Sequence, residues 1–270
     1  VQVDGTGFGV SPLSAPHISA GGRYVAFESH DADFVAGDHN RACDVFLRDL
    51  MAETTEAVSV RHDELPSKTA SGGSTLSVHS VNASGRYVAF ESRSEELVDN
   101  DGNGRRDIFV RDILEGTISL ASINTNNVSA NGDSYQPSIS GDGRYVAFVS
   151  SASDIVPIGD SNYRNIFVRD MTSSAVELIS VSTDGGGGNR DSSAPQISSD
   201  GRYVLFRSTA NNLVTGTPGV NERLYLRDRM TSTTVALAHS DFLYSAMTPD
   251  GRYIAYYVAP QFGVRKLYIW

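Results

Sequence analysis

The chain has 270 residues, 40% of them hydrophobic, a formal charge of −10 and a single cysteine, Cys43. That is enough apolar material for a packed core, while no apolar run reaches the ~18 residues of a membrane-spanning helix. A lone thiol excludes an internal disulfide, and the acidic balance argues against nucleic acid, whose phosphates need a basic surface.

In chain order, residues 1–3 (Val-Gln-Val) read as a short alternating strand followed by a Gly/Ser/Pro loop. Residues 16–19 read as a strand, 20–22 (Ala-Gly-Gly) as a tight turn, 23–29 as a second strand, 44–49 as a third and 56–60 as a fourth. The stretch at 22–27, Gly-Arg-Tyr-Val-Ala-Phe, returns from Gly85, Gly143, Gly201 and Gly251 with only conservative changes. Each copy carries the same flanking strands, giving units at about 16–60, 78–123, 136–181, 194–238 and 244–270. A repeat of this kind marks an array of supersecondary units. One four-stranded antiparallel sheet cannot bury both its faces, but five around an axis can, so the pattern predicts an all-β, five-bladed β-propeller in one domain. The fifth unit stops one strand short, after residues 266–270, and the strand at residues 1–4 is left over. Their pairing is expected to close the ring and remove two sheet edges.

The turn Thr248-Pro249-Asp250-Gly251-Arg252-Tyr253, with strands such as Ile-Phe-Val-Arg-Asp at 108–112, resembles the TolB-type β-propeller repeat. The likeness extends over practically the whole chain. It implies the fold rather than an activity, because this repeat occurs in scaffolds, binding modules and propellers attached to peptidases.

Loop lengths separate the two ends of the expected ring. Turns such as 140–143 and 112–117 are short, whereas 29–44, 92–107 and the inter-unit connections 61–78, 124–136 and 182–194 are long and emerge together. Function concentrates on long loops carried by a rigid scaffold, so a carbohydrate or protein ligand is expected on that face. Tyr135, Tyr163 and Tyr244 are its candidate aromatic contacts, and His17 and Gln196 are candidates nearer the axis. A Ca²⁺ ion is expected in the loop that starts at Asp99. Asp99, Asp101, Asn103 and Asp107 supply oxygens at hard-cation spacing, with the Arg105 carbonyl as a further ligand and Gly104 for the bend. The pattern is similar to the calcium loops of integrin-type propeller blades; a solvated Asp/Asn/Gly turn is the plain alternative. Asp38, Asn40 and Asp44 retain part of the pattern in the first unit.

The arginines that follow each turn glycine recur with the fold, and pairing with strand-end aspartates is the expected reason. Six histidines show no zinc-ligand spacing. An enzyme reading exists as well, since five-bladed glycoside hydrolases place carboxylates around the channel. Here the innermost positions are His17, Ser80, Ser138, Gln196 and Ala246, none of them acidic, and Glu28 and Glu91 are the best remaining pair. The expectation is therefore a non-catalytic, monomeric binding or scaffold propeller with no catalytic residue, the glycoside hydrolase being the alternative. Val1 without an initiator Met reads as a processed or trimmed start, and the lone cysteine is compatible with the cytosol but also with an exported bacterial protein, extracellular or periplasmic, which is the location expected.

Overall fold

The structure is a computed structural model that describes residues 15–30, 34–36, 42–61, 70–157, 162–216, 221–238, 242–258 and 266–270. The β-branched and aromatic runs after each turn glycine form the second strand of a sheet, five times over. The first sheet is β1 (His17–Ile18), β2 (Tyr24–Ser29), β3 (Asp44–Asp49) and β4 (Thr54–Ala57). The second is β5 (Ser74–Thr75), β6 (Tyr87–Ser92), β7 (Asp107–Asp112) and β8 (Thr117–Leu120). The third is β9 (Ser134–Ile139), β10 (Tyr145–Ser150), β11 (Asn165–Asp170) and β12 (Val176–Leu178). The fourth is β13 (Ser192–Ile197), β14 (Tyr203–Ser208), β15 (Arg223–Asp228) and β16 (Thr233–Ala238). The fifth has three strands, β17 (Phe242–Met247), β18 (Ile254–Val258) and β19 (Lys266–Ile269). All pairings are antiparallel between consecutive strands, and no helix occurs among the described residues.

The core lies between the sheets. Phe90 and Phe109 sit opposite each other on β6 and β7 with ring centroids 5.6 Å apart, and Phe148–Phe167 and Phe206–Tyr225 repeat the arrangement at 5.9 and 5.6 Å. Phe90 packs in one cluster with Ala26, Val45 and Leu47 of the preceding sheet, as Phe148 does with Ile108 and Val110. Burying one such ring contributes about 1.5–3 kcal/mol, and the contact exists only when a neighbouring sheet is present.

A second lock joins the tight turns. The ring of Tyr24 occupies the space a Cβ would need at Gly85, and Tyr87 and Tyr145 do the same at Gly143 and Gly201. A Cβ at Gly251 would come within 2.6 Å of Tyr203. The arginine beside each tyrosine lies over its ring, 4.7–5.0 Å from the centroid, and binds the aspartate ending the third strand: Arg23–Asp49, Arg86–Asp112, Arg144–Asp170 and Arg202–Asp228 at 2.6–2.7 Å. Backbone bonds continue from turn to turn, with Ala83 N–H donating to Gly141, Gly141 to Ser199, and Ser199 to Pro249. The expected arginine–aspartate pairs are thus part of the fold.

Several expectations need correction. The inner strand of the second sheet is at Ser74–Thr75, with only an isolated bridge from Val81 to Val88, where a strand was expected at 80–82. β9 and β13 begin three residues before Pro137 and Pro195 and shift register beside them. Proline has no N–H for the ladder, so Gln136 and Ala194 take up the extra residue at φ 54° and 52°. The expected closing strand, residues 1–4, lies outside the described residues. Within them β19 pairs only with β18, Tyr253 is 51% exposed, and no atom lies within 4 Å of a Cβ built at Gly22. A closing contact between the fifth and first sheets is not seen among the described residues.

Candidate functional site

Residues of all five units border one axial cavity of about 330 Å³, next to the tight turns; in the second unit they come from the segment after β5. The innermost residues named from the sequence do share a register: His17, Ser138, Gln196 and Ala246 face Ala26, Ala147, Leu205 and Ala255, and Ser80 O accepts the Ala89 N–H. Only His17 and Gln196 of that column line the cavity. Ser138 Oγ instead accepts the Ile197 N–H of the next sheet, and Ser80 Oγ donates to Ser77 O. The lining column is one residue later, namely Ile18, Val81, Ile139, Ile197 and Met247. The channel wall is therefore apolar.

Glu28 and Glu91, 6% and 7% exposed, face neighbouring sheets rather than the axis. Glu28 Oε1 accepts the Leu76 N–H, and Glu91 Oε2 accepts the Gln136 N–H at 2.8 Å. Glu91 Oε1 also accepts from Thr75 Oγ1 (2.9 Å) and Arg106 Nη1 (2.8 Å). In the third sheet, Gln136 Oε1 takes over this role for the Ala194 N–H. These oxygens satisfy backbone donors exposed by the inner-strand irregularities, a structural duty. They are positioned as staples between sheets.

On the long-loop side a groove of about 320 Å³ is lined by Glu91, Arg106, Tyr135, Gln136 and Arg164, together with Leu76, Ser77 and Val149. The Arg106 guanidinium lies 5.3 Å from the centroid of the Tyr135 ring. Arg164 is held by Asp191 at 2.7 Å. Burial and the neighbouring Asp133 carboxylate, to which its hydroxyl is hydrogen-bonded, raise the Tyr135 phenol above its ordinary value. Tyr163 and Tyr244 are exposed, on the loop before β11 and in β17, outside this lining. Arg106, Arg164 and His79, which borders the axial cavity, were not picked out by the sequence. No local signal marks the two arginines, because Tyr135 and Asp191, which they meet, belong to the next sheet or the loop before it.

The 99–107 loop is knit by its own side chains. Asn103 Oδ1 accepts the Arg105 N–H at 2.6 Å, and its Nδ2 donates to Asp107 Oδ2 and Ala130 O, both at 2.7 Å. Asp107 Oδ1 accepts from Ser122 Oγ at 2.5 Å, a motif repeated by Asp44 with Ser59 and Asn165 with Ser180. Asp107 thus belongs to the repeat, tying the third strand to the chain after the fourth. Burial pushes its carboxyl up to about 7, against the hydrogen bonds from Ser122 and Asn103, and burial also raises Asp101. Asp101 Oδ1 is buried without a hydrogen-bond partner, whereas Asp99 is exposed and borders a different surface hollow. Among the described residues no three acidic, histidine or cysteine side chains converge as a metal cage. The Asn103 amide nitrogen, rather than its oxygen, faces Asp107. Asp38 and Asn40 lie outside the described residues.

No protein-family model and no curated protein matches the chain. Solved structures do. TolB from Acinetobacter baumannii is 17% identical with a TM-score of 0.56, matching 96% of this chain and 51% of that one. The β-propeller domain of the Trilobed protease from Pyrococcus furiosus, described as having an open velcro topology, is 15% identical with a TM-score of 0.57, over 96% and 67%. Oligogalacturonate lyase from Vibrio parahaemolyticus is 13% identical with a TM-score of 0.58, over 100% and 66%. The chain spans about half the length of that TolB. At these identities the likeness establishes the fold alone, a TolB-like β-propeller. No helix among the described residues is long and apolar enough to cross a membrane.

Proposed function

We propose that this propeller is a non-catalytic binding module that takes a carbohydrate or protein ligand in the long-loop groove around Tyr135. The observation that carries the reading is the engagement of Glu28 and Glu91 by backbone N–H groups of the next sheet. An acid–base pair needs carboxylates facing the substrate at defined separation. Meanwhile Tyr135, Arg106 and Arg164 give the groove an aromatic face flanked by fixed donors, which suits a sugar ring or a polar peptide. A polysaccharide-active enzyme is the second reading, favoured by the likeness to a protein named as a lyase of oligogalacturonate. A glycan array run beside polysaccharide cleavage assays separates the two. Binding without turnover, lost in Tyr135→Ala, is expected; turnover would replace this reading with the enzymatic one.

Three further parts of the proposal have their own tests. Residues 1–4 complete the fifth sheet along β19, so deleting them lowers stability by about 2–4 kcal/mol; an unchanged melt would favour an open ring. Calcium at Asp101 and Asp107 would replace the Asn103–Asp107 hydrogen bond, and millimolar Ca²⁺ would then raise the melting temperature of the parent but not of Asp101→Ala. Export to the periplasm or medium rests on the single cysteine, and fractionation of the native host tests it.

A further inference from the structure

The axial cavity differs from the groove in chemistry and in place. Its wall is apolar, and two of its residues, Ile18 (65% exposed) and Val78 (48% exposed), present hydrocarbon to solvent. The polar side chains within it are few. Gln196 is 8% exposed; its Nε2 donates to Ser245 O at 3.1 Å, which leaves Oε1 buried with no hydrogen-bond partner. His17 Nε2 is likewise buried and unpartnered. Leaving such groups unmatched is costly, and native proteins do it rarely. Burial lowers the pKa of His17 and of His79, opposed at His17 by the Glu28 charge, so both rings are neutral at pH 7. Among the described residues no arginine, lysine or carboxylate lines the cavity, and an ion placed there would be desolvated without a counter-charge from them.

We propose that this cavity binds a small uncharged ligand, an apolar body with an amide-like head that donates to Gln196 Oε1. The cavity volume of about 330 Å³ lies at the small end of the range for small-molecule pockets. The proposal does not rest on the long-loop groove. The cavity adjoins the tight turns and the groove adjoins the long loops, so either can fail without the other.

Histidine-labelled protein titrated with hexanamide, hexanoate and hexylammonium tests it, since the three probes share a chain and differ in head-group charge. Hexanamide is expected to move the His17 and His79 imidazole NMR signals with a Kd on the order of 1 mM and to leave His30 unmoved. The two ions should move neither at the same concentration. Gln196→Leu should weaken hexanamide about tenfold, and Val81→Trp, which fills the cavity, should abolish the response. Should Gln196→Leu fold poorly, Val81→Trp carries the test. Signals that stay fixed, ions that bind as well as the amide, or a response that survives Val81→Trp would each overturn the assignment.

Discussion

The junction of the second and third sheets and the flank of the fifth are made from the same Gly-Arg-Tyr turn, yet they differ. At the junction, Tyr87 fills the space over Gly143 and Arg86 grips Asp112 while lying over the Tyr87 ring. On the fifth sheet Tyr253 is half exposed, and Arg252 lies over its ring at 5.4 Å with no aspartate ion pair seen among the described residues. The glycine at the other end of the array, Gly22, has open space above it. A single motif therefore becomes a stabilising lock only when a neighbour supplies its other half. Stability in such an array is largely a sum of interface terms.

Substitutions can sharpen that contrast. Gly143→Ala meets both an unfavourable backbone conformation and the Tyr87 ring, and should lose about 3 kcal/mol. Gly22→Ala meets the conformation alone, φ being 71°, and should lose about 1–2 kcal/mol; chemical denaturation measures both. Equal losses would mean that the ring overlap contributes nothing. Truncating the tyrosines gives a smaller pair of effects, with Tyr87→Ala costing about 2–3 kcal/mol and Tyr253→Ala under about 1 kcal/mol. If Tyr253→Ala proves as damaging as Tyr87→Ala, Tyr253 is covered in solution and the ring is closed.

Acid should act on the paired turns in a gentler way. The arginine bond holds Asp228 down at about 2, from an ordinary 3.8, and lowers Asp49, Asp112 and Asp170 in the same direction. The folded state then binds fewer protons, so this stabilisation is present above about pH 4 and fades as pH falls through about 2. These groups lie near the surface, where ion pairs are screened, and the effect should be small and salt-sensitive. Arg86→Gln should flatten that limb of the pH–stability curve more than Arg252→Gln, whose charge acts on Asp250 only as a minor contribution.

Much of this was legible in the sequence because it is local. Five glycine turns predict five sheets, and 44–49 reads as the strand that β3 forms. The errors share one cause, since they turn on contacts far along the chain. Prolines 137 and 195 shift the inner-strand register in the third and fourth sheets, and successive strand residues point to opposite faces; of the named inner column His17 and Gln196 line the cavity, beside Ile18, Val81, Ile139, Ile197 and Met247. The engagement of Glu91 was not legible either, because Gln136, its backbone partner, is 45 residues away. In the 99–107 loop, Asp107 also carries a repeat signal: Asp44, Asp107 and Asn165 are each followed 15 residues later by the serine they bind.

The role of Glu91 is the most direct test of the account. Glu91→Gln keeps the side chain's shape but removes the charge that pairs with Arg106, a half-buried ion pair at 2.8 Å. Its melt and its turnover of polysaccharides should be measured beside those of the parent. The account predicts a stability loss of about 1–3 kcal/mol and no turnover by either protein. Turnover by the parent that vanishes in a variant with an unchanged melt would contradict it.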